Sequence, residues 1–166
     1  SEANKLGERA TEAIHSDAGL FLSLLSSSLK ANPFGDISDW ISHIGKVKEK
    51  FPLIAQEHED TNGFMNSYKV IERLNSEFKD DALFVTDMGT ALLSGFYGLE
   101  LKENQRLMTS TGLGEMGFGL PAALGAAFGN PDKDIICLNA DGGMMMNLQE
   151  LQTIVHHNLN IKIFIF

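Results

Sequence analysis

Regular patterning begins near Asn66, where apolar positions fall first at helical and then at strand spacing. Ser67–Phe78 places Tyr68, Ile71, Leu74 and Phe78 on one helical face, the stripe of a helix that packs on a core. Asp80-Asp81 ends that helix, and Ala82–Thr86 (ALFVT) is a short apolar run of strand type. Residues 91–99 predict an apolar helix, and Arg106–Ser110 a weaker strand. Leu120–Phe128 predicts a helix of small residues, with Pro121 in its first turn, where a missing N–H is tolerated. The strand Asp134–Asn139, a loop Ala140–Met146, the helix Asn147–Asn158 and a terminal strand Ile161–Phe166 complete the series.

Strands that alternate with helices and lack polar alternation belong to a parallel sheet covered on both sides. The predicted fold class is therefore α/β, a parallel sheet with helices on both faces. The sequence upstream is looser. Ala18–Leu29 carries apolar residues at helical spacing with Asp17 placed to cap it, and a short charged helix is expected around Ile37–Phe51, between turn signals at Asn32-Pro33 and Asn62-Gly63. The expected organisation is residues 1–30 as the tail of an upstream domain, 31–65 as a linker with one helix, and 66–166 as the start of the α/β domain. Because the chain stops inside the apolar run Ile161–Phe166, both ends are expected to be cuts and the sheet to be incomplete at its C-terminal side.

Charge narrows the partners. Thirteen basic and twenty-two acidic residues give a net charge of -9, a field that disfavours nucleic acid and anionic membrane surfaces. No apolar run reaches the roughly 18 residues of a membrane span. One cysteine, Cys137, excludes an internal disulfide and fits a reducing compartment, with the cytoplasm as the expected location.

In such sheets ligands bind at the carboxyl ends of the strands. Those ends carry Asp87-Met88-Gly89-Thr90, Thr111–Gly114 and Ala140-Asp141-Gly142-Gly143. Glycines allow close approach of backbone N–H groups, and a following helix N-terminus favours phosphate. Asp141 adds a hard oxygen of the kind Mg²⁺ takes beside phosphate oxygens and water. The plainer reading, Asp141 as a helix cap and the glycines as a turn, fits the local sequence equally well. Gly112-Leu113-Gly114-Glu115-Met116-Gly117 also matches the G-x-G-x-x-G of a dinucleotide-binding turn. Against that stands the polar run Arg106–Thr111, where the fingerprint requires a buried apolar strand.

Thr109–Ala123, with its core Gly112-Leu113-Gly114-Glu115-Met116-Gly117-Phe118-Gly119, resembles the pyrimidine-side motif of thiamine-diphosphate-dependent enzymes of the acetolactate synthase-like family. Ala140-Asp141-Gly142-Gly143 followed by Asn147-Leu148-Gln149-Glu150-Leu151 resembles the start of that family's metal–diphosphate motif, and Val85–Gly89 its earlier strand and loop. The resemblance implies a truncated C-terminal cofactor-binding domain. It implies Asp141 as a Mg²⁺ ligand, Gly142 and Gly143 as backbone contacts to the diphosphate, and Gly89 with Thr90 beside it. Gly114 would offer its carbonyl to the aminopyrimidine, and Met116 would be the wedge that holds the cofactor bent. Met116 without the motif would be core filler.

The cofactors so implied are thiamine diphosphate and Mg²⁺, with FAD left open. The activity implied is decarboxylation of a 2-oxo acid such as pyruvate and ligation to a second carbonyl, in a homodimer or tetramer. A simple 2-oxo-acid decarboxylase and a dinucleotide-binding domain are the alternatives. Three departures stand out: Ala140 replaces the first glycine of Gly-Asp-Gly, and Thr90 and Ala91 stand where the synthases commonly carry glutamine and histidine. The family's paired asparagines would follow Phe166, and its glutamate lies in a separate upstream domain, so no catalytic residue is expected within these residues. Of the rest, His156 and His157 are expected to face solvent or cap a helix, Cys137 to be buried and inert, and Met144-Met145-Met146 either to pack or to line a substrate pocket.

Overall fold

The computed structural model describes residue 5, residues 11–55 and residues 58–166. Most of the polar start of the chain (residues 1–4 and 6–10) and two linker positions therefore lie outside the described residues. The chain divides into two compact units, Ser1–Lys50 and Phe51–Phe166.

The first unit holds α1 (Ala18–Ala31) and α2 (Ser38–Lys50). Asp17 caps α1 as its sequence position predicts, its Oδ1 accepting from the Leu20 N–H at 2.9 Å. Neither helix buries a residue. Trp40 stacks on His43 one turn along α2, with ring centroids 5.7 Å apart.

In the second unit, α3 (Ser67–Glu77) starts at Asn66, whose side chain accepts from the Tyr68 N–H at 2.9 Å. Then follow β1 (Leu83–Thr86), α4 (Thr90–Gly98), β2 (Arg106–Met108), α5 (Gly119–Gly129), β3 (Ile135–Asn139), α6 (Asp141–Met146), α7 (Glu150–His156) and β4 (Ile161–Ile165). The strands form one four-stranded sheet in the order β2-β1-β3-β4, and every pair is parallel. Val85 stands between Met108 and Cys137, and Cys137 pairs with Ile163 on its other side.

Alternate residues of the two central strands feed opposite layers. Phe84, Ile136 and Leu138 pack with Ile71 and Leu74 of α3 and Ala91 of α4. Leu83, Val85, Ile135 and Cys137 pack with Ala123, Ala126 and Ala127 of α5. The small residues of α5 let that helix lie close on the sheet. Full burial of a side chain the size of Phe84 or Leu138 is worth about 1.5–3 kcal/mol relative to leaving it exposed. The predicted parallel sheet with helices on both faces is the observed one.

Two local expectations change. The predicted loop 140–146 is largely helix, because the Met144 N–H closes onto the Ala140 carbonyl at 2.9 Å. The predicted helix 147–158 shortens to Glu150–His156, because Asn147 leaves helical geometry (φ -131°, ψ 33°) and its amide donates to the Gly117 carbonyl at 2.7 Å. β4, apolar apart from Lys162, lies at the sheet edge and is half-buried apart from an exposed Ile165.

Candidate functional site

The chain leaves β1 toward β2 on one side of the sheet and returns across it to β3 on the other. The order therefore reverses between β1 and β3, and a crevice opens beyond their carboxyl ends. This is where doubly wound sheets bind ligands. Residues 87–90 line it from β1 and residues 140–143 from β3, with the loop after β2 beside them. Three buried side-chain oxygens at these strand ends, Thr86 Oγ1, Thr109 Oγ1 and Asn139 Oδ1, have no hydrogen-bond partner among the described residues. The carboxyl end of the sheet is thus a polar end built into an apolar core, a condition that calls for a functional explanation.

The three loops are held together chiefly through Gly117. Its N–H donates to both carboxylate oxygens of Asp87, at 3.0 and 3.1 Å, and its carbonyl accepts from Asn147 Nδ2 at 2.7 Å. Its φ of +87° favours glycine, and a Cβ there would come within 2.9 Å of Asn147 Nδ2 and 3.0 Å of Met146 Cβ. One peptide thus bridges the loops after β1, β2 and β3. Asp87 itself is fully buried, and its own N–H continues the sheet by donating to the Leu138 carbonyl at 2.8 Å.

The residues singled out from sequence gather on this crevice. Gly89 caps α4 and faces Ala140 across it, the place of a Cβ on Gly89 lying 3.6 Å from that of Ala140. Thr90, the first residue of α4, is exposed. Gly114 packs against the Met88 methyl and donates its N–H to the Ser110 carbonyl at 2.8 Å. Met116 is half-exposed, and its methyl lies so close to Gly142 that a Cβ there would be 2.8 Å from it. Asp141 opens α6 exposed to solvent, with Oδ1 accepting from the Gly142 N–H at 2.7 Å. Gly143 is buried, and Asp87 Oδ2 already fills the place its Cβ would take.

This arrangement offers backbone, one hard carboxylate oxygen and exposed thioethers, a donor set suited to a phosphate ester with a bound cation and an aromatic body. Ser110 donates to Glu115 at 2.6 Å and thereby holds the Glu115 carboxyl below the usual carboxylate range. The plain reading of the three methionines holds for Met144 alone, which is buried, whereas Met145 and Met146 are exposed at the site. His156 and His157 are exposed, and His157 ends α7 with its ring edge-on to Phe128.

Burial pushes the Cys137 thiol up to about 12, with the negative charge of Asp87 adding to the effect. Only a thiolate is nucleophilic, so in the folded protein Cys137 is expected to resist a disulfide reagent near pH 8 and to react fully on adding denaturant. Prompt labelling of Cys137 without denaturant would contradict its placement in the sheet.

Neither Asp87 nor Asn147 stands out as a site residue in the sequence. The available signal for Asp87 was an acid directly after a fully buried strand and two residues before a glycine. Asn147 carried no comparable mark, since its partner is thirty residues away.

A doubly wound sheet with three glycine-bearing loops meeting at its switch point defines an α/β domain for a phosphate-bearing cofactor. Residues 87–166 match the family described as thiamine pyrophosphate enzyme, C-terminal TPP binding domain. The acetolactate synthase isozyme 1 large subunit of Escherichia coli (strain K12) is 33% identical over 153 residues, which are 92% of this chain and 26% of that protein. The acetolactate synthase large subunit of Cyanidium caldarium is 38% identical over 157 residues, covering 92% and 26%. The mitochondrial acetolactate synthase catalytic subunit of Aspergillus candidus is 32% identical over 165 residues, covering 98% and 24%. The chain belongs to the thiamine-diphosphate-dependent enzymes of the acetolactate synthase-like family. It spans about a quarter of the length of the curated relatives it matches.

The dinucleotide alternative finds no support in the fold. The strand before its glycine turn is the short, half-exposed edge strand β2, and the N–H of its third glycine is taken by Asp87. No helix among the described residues is long and apolar enough to cross a membrane.

Proposed function

We propose that the whole protein decarboxylates a 2-oxo acid such as pyruvate and joins the remaining fragment to a second carbonyl. The observation that carries this reading is the contact of Met116 with Gly142, which puts an exposed apolar wedge beside the acid-and-glycine loop. When bound, thiamine diphosphate supplies an electron sink for the loss of CO₂. The residues of this chain supply posture and electrostatics. Asp141 holds Mg²⁺, an ion that completes its shell with phosphate oxygens and water. The backbone at Gly142, Gly143 and Gly89 and the exposed Thr90 hydroxyl receive the diphosphate. Gly114 would offer its carbonyl to the aminopyrimidine, and Met116 would be the apolar wedge against which the cofactor rests.

Residues 1–30 belong in this reading to an upstream domain, residues 31–65 to a linker and residues 66–166 to the cofactor domain. By family analogy the site is completed by a second subunit of a homodimer or tetramer. The single cysteine, buried and unpaired, supports a reducing compartment such as the cytoplasm.

One observation favours a second reading, simple decarboxylation. Ala91 is fully buried against the core of the α3–α4 layer, so this position presents no side chain to an acceptor. The test is calorimetric titration of the full-length apoprotein with thiamine diphosphate, with and without Mg²⁺, followed by product analysis with pyruvate. Binding that requires Mg²⁺ and a ligated product are expected. An aldehyde as sole product would select the second reading, and absence of cofactor binding at millimolar concentration would sink both.

A further inference from the structure

Asp87 is fully buried at the carboxyl end of β1 and forms no ion pair with any described residue. Such burial works against stability unless the group is held by hydrogen bonds, so the reason for the residue lies in what it holds. On one side its carboxylate accepts from the N–H of Gly117, the residue directly after Met116. On the other side Oδ2 fills the place of the missing Cβ of Gly143, and Asn139 Oδ1 lies 3.1 Å from that same point. The main chain of Asp87 is fixed as well. Its N–H is tied to β3, and a Cβ on Gly119 would meet Asp87 Cβ at 2.8 Å, so the start of α5 rests directly on it.

We propose that Asp87 is a positioning residue for the cofactor: its carboxylate sets the spacing between the Met116 wedge and the loop Asp141-Gly142-Gly143. The inference rests on the reading above, in which these two loops take the two ends of thiamine diphosphate. Asp87 touches neither substrate nor cofactor in this role. It acts through Gly117 and Gly143. Removing the carboxylate frees the Gly117 N–H and empties the space beside Gly143, so the wedge and the phosphate loop lose their common reference.

The test uses the full-length protein and two readouts: affinity for thiamine diphosphate in saturating Mg²⁺, and the near-ultraviolet circular dichroism of the bound cofactor, which reports its posture. Wild type is measured first. If it does not bind thiamine diphosphate, the functional reading fails and the inference fails with it. If it binds, Asp87→Ala is expected to lose affinity about tenfold, equivalent to about 1.4 kcal/mol, and to change the dichroism even at saturation. Asp87→Asn keeps an acceptor for Gly117 and is expected to stay within about threefold of wild type. Gly143→Ala keeps Asp87 but drives its carboxylate off Gly117, and is expected to give the same spectral change. This variant decides the matter should Asp87→Ala fail to fold. A wild-type affinity and spectrum in folded Asp87→Ala or in Gly143→Ala would overturn the proposal. So would lower melting temperatures of the variant apoproteins with an unaltered cofactor spectrum, since that is the mark of a purely structural role.

Discussion

Asp141→Asn in the full-length protein is expected to bind thiamine diphosphate about 100-fold more weakly in the presence of Mg²⁺, a loss of about 2.7 kcal/mol, and to become indifferent to the metal. Asp141 is the hard, charged oxygen donor of the loop after β3, and its exposure leaves it open to an ion. Oδ1 is engaged by the Gly142 N–H at 2.7 Å, which leaves Oδ2 without a protein partner among the described residues. Asparagine keeps the oxygen that receives the Gly142 N–H, so the loop and the apoprotein melting temperature should be retained. What it removes is the charge, and a divalent ion held by one carboxylate depends on that charge. Calorimetry of the variant across a Mg²⁺ series checks this. Metal dependence equal to wild type would assign Asp141 to helix capping alone.

Gly117→Ala is expected to open the junction of the three loops by about 2–4 kcal/mol. An L-residue forced into a sparsely populated backbone region costs about 1–3 kcal/mol, and losing a hydrogen bond to the buried peptide adds about 1 kcal/mol. The clash is specific, since the new methyl would meet Asn147 Nδ2 at 2.9 Å and Met146 Cβ at 3.0 Å. The Gly117 N–H lies on a buried carboxylate, so its hydrogen exchange reads the opening directly. Residues 112–119 should exchange about 30-fold faster or more in the variant, as an opening easier by about 2 kcal/mol dictates. Replacing Asn147 by alanine in the same chain should relieve part of the damage, because residues in contact are not additive. Exchange unchanged by Gly117→Ala would mean that the bridge through Gly117 does not hold the loops.

Local regularities were legible from the residues alone. The strands Leu83–Thr86 and Ile135–Asn139, apolar up to their polar last residues, are buried at every position, as strands covered on both faces must be. Asp17 caps its helix at the position where a short polar side chain precedes an amphipathic run. The glycine-bearing strand ends and Asp141 pointed to phosphate and a metal ion, whereas the wedge role of Met116 came from the family resemblance. Each of these inferences depends on neighbours within about one helical turn or one strand, which sequence displays directly.

The order of the strands and the partners of the buried polar groups were not legible, because they join residues that sequence separates widely. The reversal between β1 and β3 turns three separate strand ends into one crevice. Across it Asp87 meets Gly117, and Gly117 meets Asn147, each over thirty residues. The second of those bonds also explains one local difference: Asn147 breaks the helix predicted over 147–158 because its amide is drawn to Gly117. By itself the sequence determined the strands and most of the helices, the two-sided burial of the central strands and the chemical types at the site. The tertiary structure alone decided which loops share a crevice and which carboxylate ties them together, since a buried polar group takes its partner from whatever the packed chain brings within about 3 Å.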